Sequence, residues 1–144
     1  MMNVEQKVSR TELARNTRRV LSSVQRGRTA LIENYGEPEA ALLDIVDYRI
    51  LRAVVRYYAN PPDIALNTGL SDDVVRTLDD QDARYALVFA HHLAGNISLA
   101  RAAELLEMPW LELRTRCLRL DVPLRAAPKD IAEAASDVAA AADW

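Results

Sequence analysis

Arginine is the residue whose spacing first suggests chemistry in this 144-residue chain. Arg15, Arg19, Ser22 and Arg26 recur at i, i+4, i+7 and i+11, which on a helix gathers them on one face. Arg10 and Arg18 lie beside them in sequence. Guanidinium groups bind phosphate oxygens through paired, charge-assisted hydrogen bonds, so such a surface is suited to a nucleic-acid backbone. Arg10, Arg15, Arg18 and Arg19 are therefore candidate DNA contacts. A second basic group, Arg114, Arg116 and Arg119, falls in one short segment near the C-terminus. Arg114 and Arg116 complete the candidate DNA-binding set. The competing reading is that both groups are ordinary solvated faces, or that the second meets a protein.

Other chemistry is poorly provided for. His91 and His92 are adjacent, and on a helix they point about 100° apart, which does not suit shared metal ligation. Cys117 is the single cysteine and falls on an apolar helix side with Trp110 and Leu113, so core packing is expected of it. Asp72 and Asp73, and Asp79, Asp80 and Asp82, are better explained by helix N-terminal charge and a solvated linker than by a metal. No glycine-rich phosphate loop occurs. The expectation is a non-enzyme without metal or cofactor.

The net charge of −3 conceals an asymmetry. Residues 1–35 carry seven basic groups against three acids, a net +4, whereas residues 61–144 carry eight against fourteen, a net −6. A basic head suits a polyanion and an acidic remainder suits a basic partner. A single cysteine fits a reducing compartment. No apolar run approaches the roughly 20 residues of a membrane span, and there is no secretory leader pattern. A cytoplasmic protein with no membrane partner is expected.

The elements that must position these arginines read as follows. Val4–Val8 is a short extended lead-in. Ser9 and Glu12 form an S-x-x-E capping box opening a helix, with Leu13, Thr17, Val20, Leu21 and Val24 as its apolar stripe. Gly27 ends it. TALIEN (29–34), the turn YGEP (35–38) and EAALLDI (39–45) read as a hairpin. Asp47 is placed to cap a second helix with Ile50, Leu51, Val54, Val55 and Tyr58 inward, and NPP (60–62) stops it. So small a module needs help to bury its surfaces, and a homodimer is expected. Residues 60–79 read as a linker holding a short helix capped by Ser71. A longer helix spans about Gln81–Ala94, with Tyr85, Val88, Phe89 and His92 on one side. Ser98 caps a helix ending near Leu106, and a further helix runs from Trp110 to Leu120. Ala103, Leu106, Met108 and Leu113 fall where a helix-turn-helix has buried residues, although Glu107 stands where that turn commonly has glycine and Arg116 where an apolar residue is expected. The tail, 127–144, is acidic and alanine-rich, with Ile131, Ala135 and Val138 as a thin apolar stripe and Trp144 as an anchor.

The order of motifs in the first module resembles the Phd/YefM antitoxin family. Ser9, Thr11, Glu12, Leu13, Arg15 and Asn16 give S-x-T-E-L-x-R-N. Gly27, Arg28, Ala30, Leu31 and Ile32 follow, then Gly36, Glu37, Pro38 and Ala40–Leu43, then Asp47, Tyr48 and Leu51. The resemblance implies a dimer that binds a palindromic operator through its basic N-terminal region and neutralises a toxin with the segment that follows. This chain departs from the family where basic residues usually occupy the strand-turn segment. Glu33, Asn34, Gly36, Glu37 and Pro38 stand there, and Ala14 replaces a common arginine. Residues from Ile97 to Leu105, with the segment beyond, resemble a small helical antitoxin-like family often encoded beside PIN-domain ribonucleases. The expected fold is α+β: a strand-helix-hairpin-helix module (1–59), a linker (60–79), a helix-turn-helix-like module (80–126) and the tail. The expected function is a type II antitoxin whose tail meets the toxin through Ile131, Ala135, Val138 and Trp144, and whose dimer represses its own operon. The alternative is a stand-alone dimeric repressor with no toxin partner.

Overall fold

The computed structural model describes residues 5–65 and 68–123. It is mixed α+β, with a three-stranded sheet and several helices. The chain divides into two compact units, Met1–Tyr48 and Arg49–Trp144.

The first unit contains β1 (Glu5–Ser9), α1 (Arg10–Arg15), α2 (Thr17–Gln25), β2 (Thr29–Asn34) and β3 (Glu37–Leu42). Strand order is β1-β2-β3, with β1 parallel and β3 antiparallel to β2. Parallel neighbours need a crossover, and α1 and α2 supply it. Val8 lies opposite Ile32, and Ile32 opposite Ala40. Alternation puts Val8, Ala30 and Ile32 on one face of the sheet, where they are buried with Val20 and Val24 of α2. Leu13 and Leu42 pack at the edge of this core.

One continuous helix was expected from Ser9, but Asn16 breaks it, with φ −125° and ψ 40°. The Thr17 hydroxyl donates back to the Leu13 carbonyl at 2.6 Å, a local bond that competes with regular helix. The break narrows the predicted stripe, since Val20 and Val24 are buried while Thr17 and Leu21 are exposed. The capping box forms in its first half, with Ser9 Oγ accepting from the Glu12 amide at 3.0 Å. The Glu12 carboxylate pairs with Arg19. The hairpin turn is tighter than predicted. Tyr35 and Gly36 alone span it, both with positive φ (51° and 79°), the backbone of a type I′ turn. Strand β3 therefore begins at Glu37.

The helix α3 runs Ile45–Ala59 and starts earlier than expected. Its cap is Asp44, whose carboxylate accepts from the Val46 amide at 3.1 Å, while Asp47 lies inside the helix and is buried. The buried side of α3 carries Ile50, Ala53 and Val54. Val55 and Tyr58, expected inward, are 60% and 57% exposed.

The second unit continues with α4 (Asp72–Arg76), α5 (Gln81–Leu93), α6 (Leu99–Leu105) and α7 (Trp110–Arg119). Ser71, Asp80 and Ser98 each cap the helix that follows through a side-chain oxygen. Val88, Phe89 and His92 of α5 are buried, as are Ala102 and Ala103 of α6 and Leu113 and Cys117 of α7.

Helix ends follow one pattern in both units. After α2, α5, α6 and α7, a residue with positive φ is followed by an amide bonding back to a carbonyl five residues earlier, such as Met108 to Ala103 and Val122 to Cys117. Glycine takes the left-handed position at Gly27 and Gly95, but Glu107 and Asp121 take it after α6 and α7, each at φ 57°.

Candidate nucleic-acid interface

The six candidate arginines divide by what they already hold. Arg10 follows β1 and reaches Glu39 on β3 through two hydrogen bonds. These bonds hold the Glu39 carboxyl below its ordinary value and raise Arg10 further, the hydrogen bond being the larger cause in each. Arg19 on α2 pairs with Glu12 on α1, across the break at Asn16. Arg116 is tucked against α7, where its Nη2 meets Glu112 Oε1 at 3.0 Å and only 13% of its side chain is accessible. Arg119, beside it, is partly buried and also engaged.

Arg15, Arg18 and Arg114 are different. Each is exposed and has no ion pair among the described residues. Arg15 ends α1 and Arg18 is the second residue of α2, so the two flank the break at Asn16. Arg26 and Arg28, at the end of α2 and in the turn after it, are likewise exposed without an ion pair among the described residues. Sequence reasoning left those two out of the site, although the charge excess of the first 35 residues included them.

Arg114 has a different setting. Leu111 and Leu118 are 44% and 49% exposed on the same outward side of α7, opposite the buried Leu113 and Cys117. The outward face of this helix is thus two leucines around one cation. The hairpin tip is a third exposed feature, where Tyr35 is 99% exposed and flanked by Glu33 and Glu37.

A cleft of about 220 Å³ lies between α4, α5 and the α6–α7 turn, lined by Asp72, Arg76, Arg84, Glu104 and Glu107 among others. Most of its charge is already paired: Asp72 with Arg76 and Arg101, and Glu104 with Arg101. Among the described residues no group of three or more His, Cys, Asp and Glu is placed to hold a metal ion, and no helix is long and apolar enough to cross a membrane. His91 and His92 diverge, His92 turning inward to the Ile97 carbonyl and His91 to Asn96. The proposed toxin contacts Ile131, Ala135, Val138 and Trp144 lie outside the described residues.

No family model, curated protein or solved structure matches this chain.

Proposed function

We propose that this chain is the antitoxin of a type II toxin–antitoxin pair, binding operator DNA as a homodimer and masking a toxin, with a PIN-domain ribonuclease the favoured toxin. The observation that carries the DNA-binding part is the pair Arg15 and Arg18, exposed and without an ion pair among the described residues, in a segment (residues 1–35) whose net charge is +4. Free guanidinium groups engage phosphate without first giving up a partner. Arg10 and Arg19 contribute less, because each must exchange a carboxylate for a phosphate. Exposed ion pairs are weak, so that exchange remains accessible.

The exposed Val55 and Tyr58 of α3 support association with a second copy, since exposed apolar side chains gathered on one helix are a surface for another chain. The outward face of α7 supports a protein partner over a phosphate backbone, because Leu111 and Leu118 gain from burial and nothing from phosphate. The acidic second half complements the basic cleft of an RNA-cleaving toxin.

The test is co-expression from the native operon with this chain as bait. A small growth-inhibiting protein retained at fixed stoichiometry supports the antitoxin reading. A dimer with no partner that still shifts its own promoter DNA favours the stand-alone repressor, in which Arg114 on α7 supplies a second basic contact.

A further inference from the structure

Thr68 and Gly69, in the segment that leads into α4, are fastened to the α5–α6 corner by one amide side chain. Asn96 Oδ1 accepts from the backbone amides of Thr68 at 3.1 Å and Gly69 at 3.2 Å. Its Nδ2 donates to the Gly69 carbonyl at 2.9 Å and lies 2.7 Å from His91 Nδ1. The two amide donors admit only an oxygen on their side, and the Gly69 carbonyl admits only the nitrogen on the other. The amide orientation is therefore determined by its backbone partners. It follows that the second Nδ2 hydrogen points at His91 Nδ1, which must accept. An accepting Nδ1 places the imidazole proton on Nε2 and makes the ring neutral. A protonated ring would set N–H against N–H at this distance.

We propose that His91 and Asn96 form a proton-sensitive latch that holds Thr68 and Gly69 onto the α5–α6 corner when His91 is neutral and releases them when it is protonated. The charged groups on the elements packed here are Asp72, Asp73 and Arg76 of α4, Asp82 and Arg84 of α5, and Arg101 and Glu104 of α6. None of them pairs with His91. Arg101 is occupied by the Leu70 carbonyl at 3.0 Å and by Asp72 and Glu104. Partial burial of the ring acts in the same direction, lowering His91 from its ordinary 6.5. The sign follows. With a depressed folded value, the folded state binds fewer protons than the unfolded chain. The stabilisation is full above 6.5 and is lost as pH falls through the lower folded value. Arg101 still holds Leu70 in acid, so the release is local to Thr68 and Gly69.

The test is a pH titration of the full chain by nitrogen-detected NMR. His91 is expected in the Nε2–H tautomer at about pH 7.5, and the amide shifts of Thr68 and Gly69 are expected to move with the same midpoint as the His91 ring. Asn96→Asp keeps an acceptor for the two amides but puts a carboxylate against Nδ1, and is expected to raise the His91 midpoint by about one unit or more. A protonated Nδ1 at neutral pH, Thr68 and Gly69 shifts that ignore the His91 midpoint, or an unmoved midpoint in Asn96→Asp would each overturn the latch. The first two readouts need no variant.

Discussion

The two units differ in how many of their arginines are already engaged, although Arg52 and Arg56 of α3 are also exposed without an ion pair among the described residues. In the helical unit arginine is mostly internal hardware. Arg84 donates to the carbonyls of Leu78 and Arg76, closing the end of α4, and Arg101 ties the Leu70 carbonyl to Asp72. Arg116 is folded against Glu112. In the sheet unit Arg15, Arg18, Arg26 and Arg28 are exposed without an ion pair among the described residues. Charge counts rank the two segments by sign alone. The pairing separates arginines that hold the fold from arginines available to a ligand, and Arg114 is the one candidate of the helical unit on the available side.

The largest effect that tests this contrast is in the helical unit. Arg101→Ala removes charge-assisted bonds from a side chain that is 27% accessible and is expected to cost about 2 kcal/mol in denaturant unfolding. Arg15→Ala with Arg18→Ala is expected to stay within about 0.5 kcal/mol of the parent. Equal losses would erase the distinction. Next are the left-handed positions. Glu107→Gly relieves a positive φ of 57° and is expected to gain about 0.5–1 kcal/mol in the same measurement, the relief exceeding the added entropy of the unfolded chain. Tyr35→Asn in the sheet unit is expected to gain about 0.5 kcal/mol, because asparagine tolerates a type I′ turn better than an aromatic residue. A loss there would mean that the exposed ring has a stabilising contact. The smallest effect concerns a paired arginine. Glu39→Gln frees Arg10 and, if Arg10 reaches phosphate, steepens the salt dependence of DNA binding by up to about 0.9 per protomer. An unchanged slope would remove Arg10 from the interface.

Much of the fold was legible from local rules. Ser9, Ser71 and Ser98 announce helix starts because a side-chain oxygen next to free amides has one effective use. The strand β2 was readable from TALIEN, and the inward Tyr85, Val88, Phe89 and His92 of α5 from their period. Departures came where two local signals competed. The apolar period runs straight through Asn16, so the break was invisible to it. Asp44 and Asp47 are both able to cap α3, and only the backbone decides between them. Glu107 stands where the turn of a helix-turn-helix commonly has glycine, yet it adopts the glycine-like backbone there. The site was less legible than the fold. Arg10 and Glu39 are 29 residues apart, and no pattern along the chain reveals that the first candidate contact already has a carboxylate. The proposed toxin contacts fall outside the described residues, and the placement of Arg114 among exposed leucines emerges only once the buried side of α7 is known.

Under the proposed function, the exposed arginines of the sheet unit that have no ion pair among the described residues grip a nucleic-acid backbone. The most direct test of this grip is the salt dependence of binding to the promoter DNA of its own operon, for the parent chain and for Arg15→Ala with Arg18→Ala. Removing two phosphate contacts is expected to flatten the slope of log K against log salt by about 1.8 for each protomer engaged, with affinity falling alike on related and unrelated sequences. A parent chain that binds with a steep slope left unchanged by the double substitution would contradict the account and move the interface elsewhere.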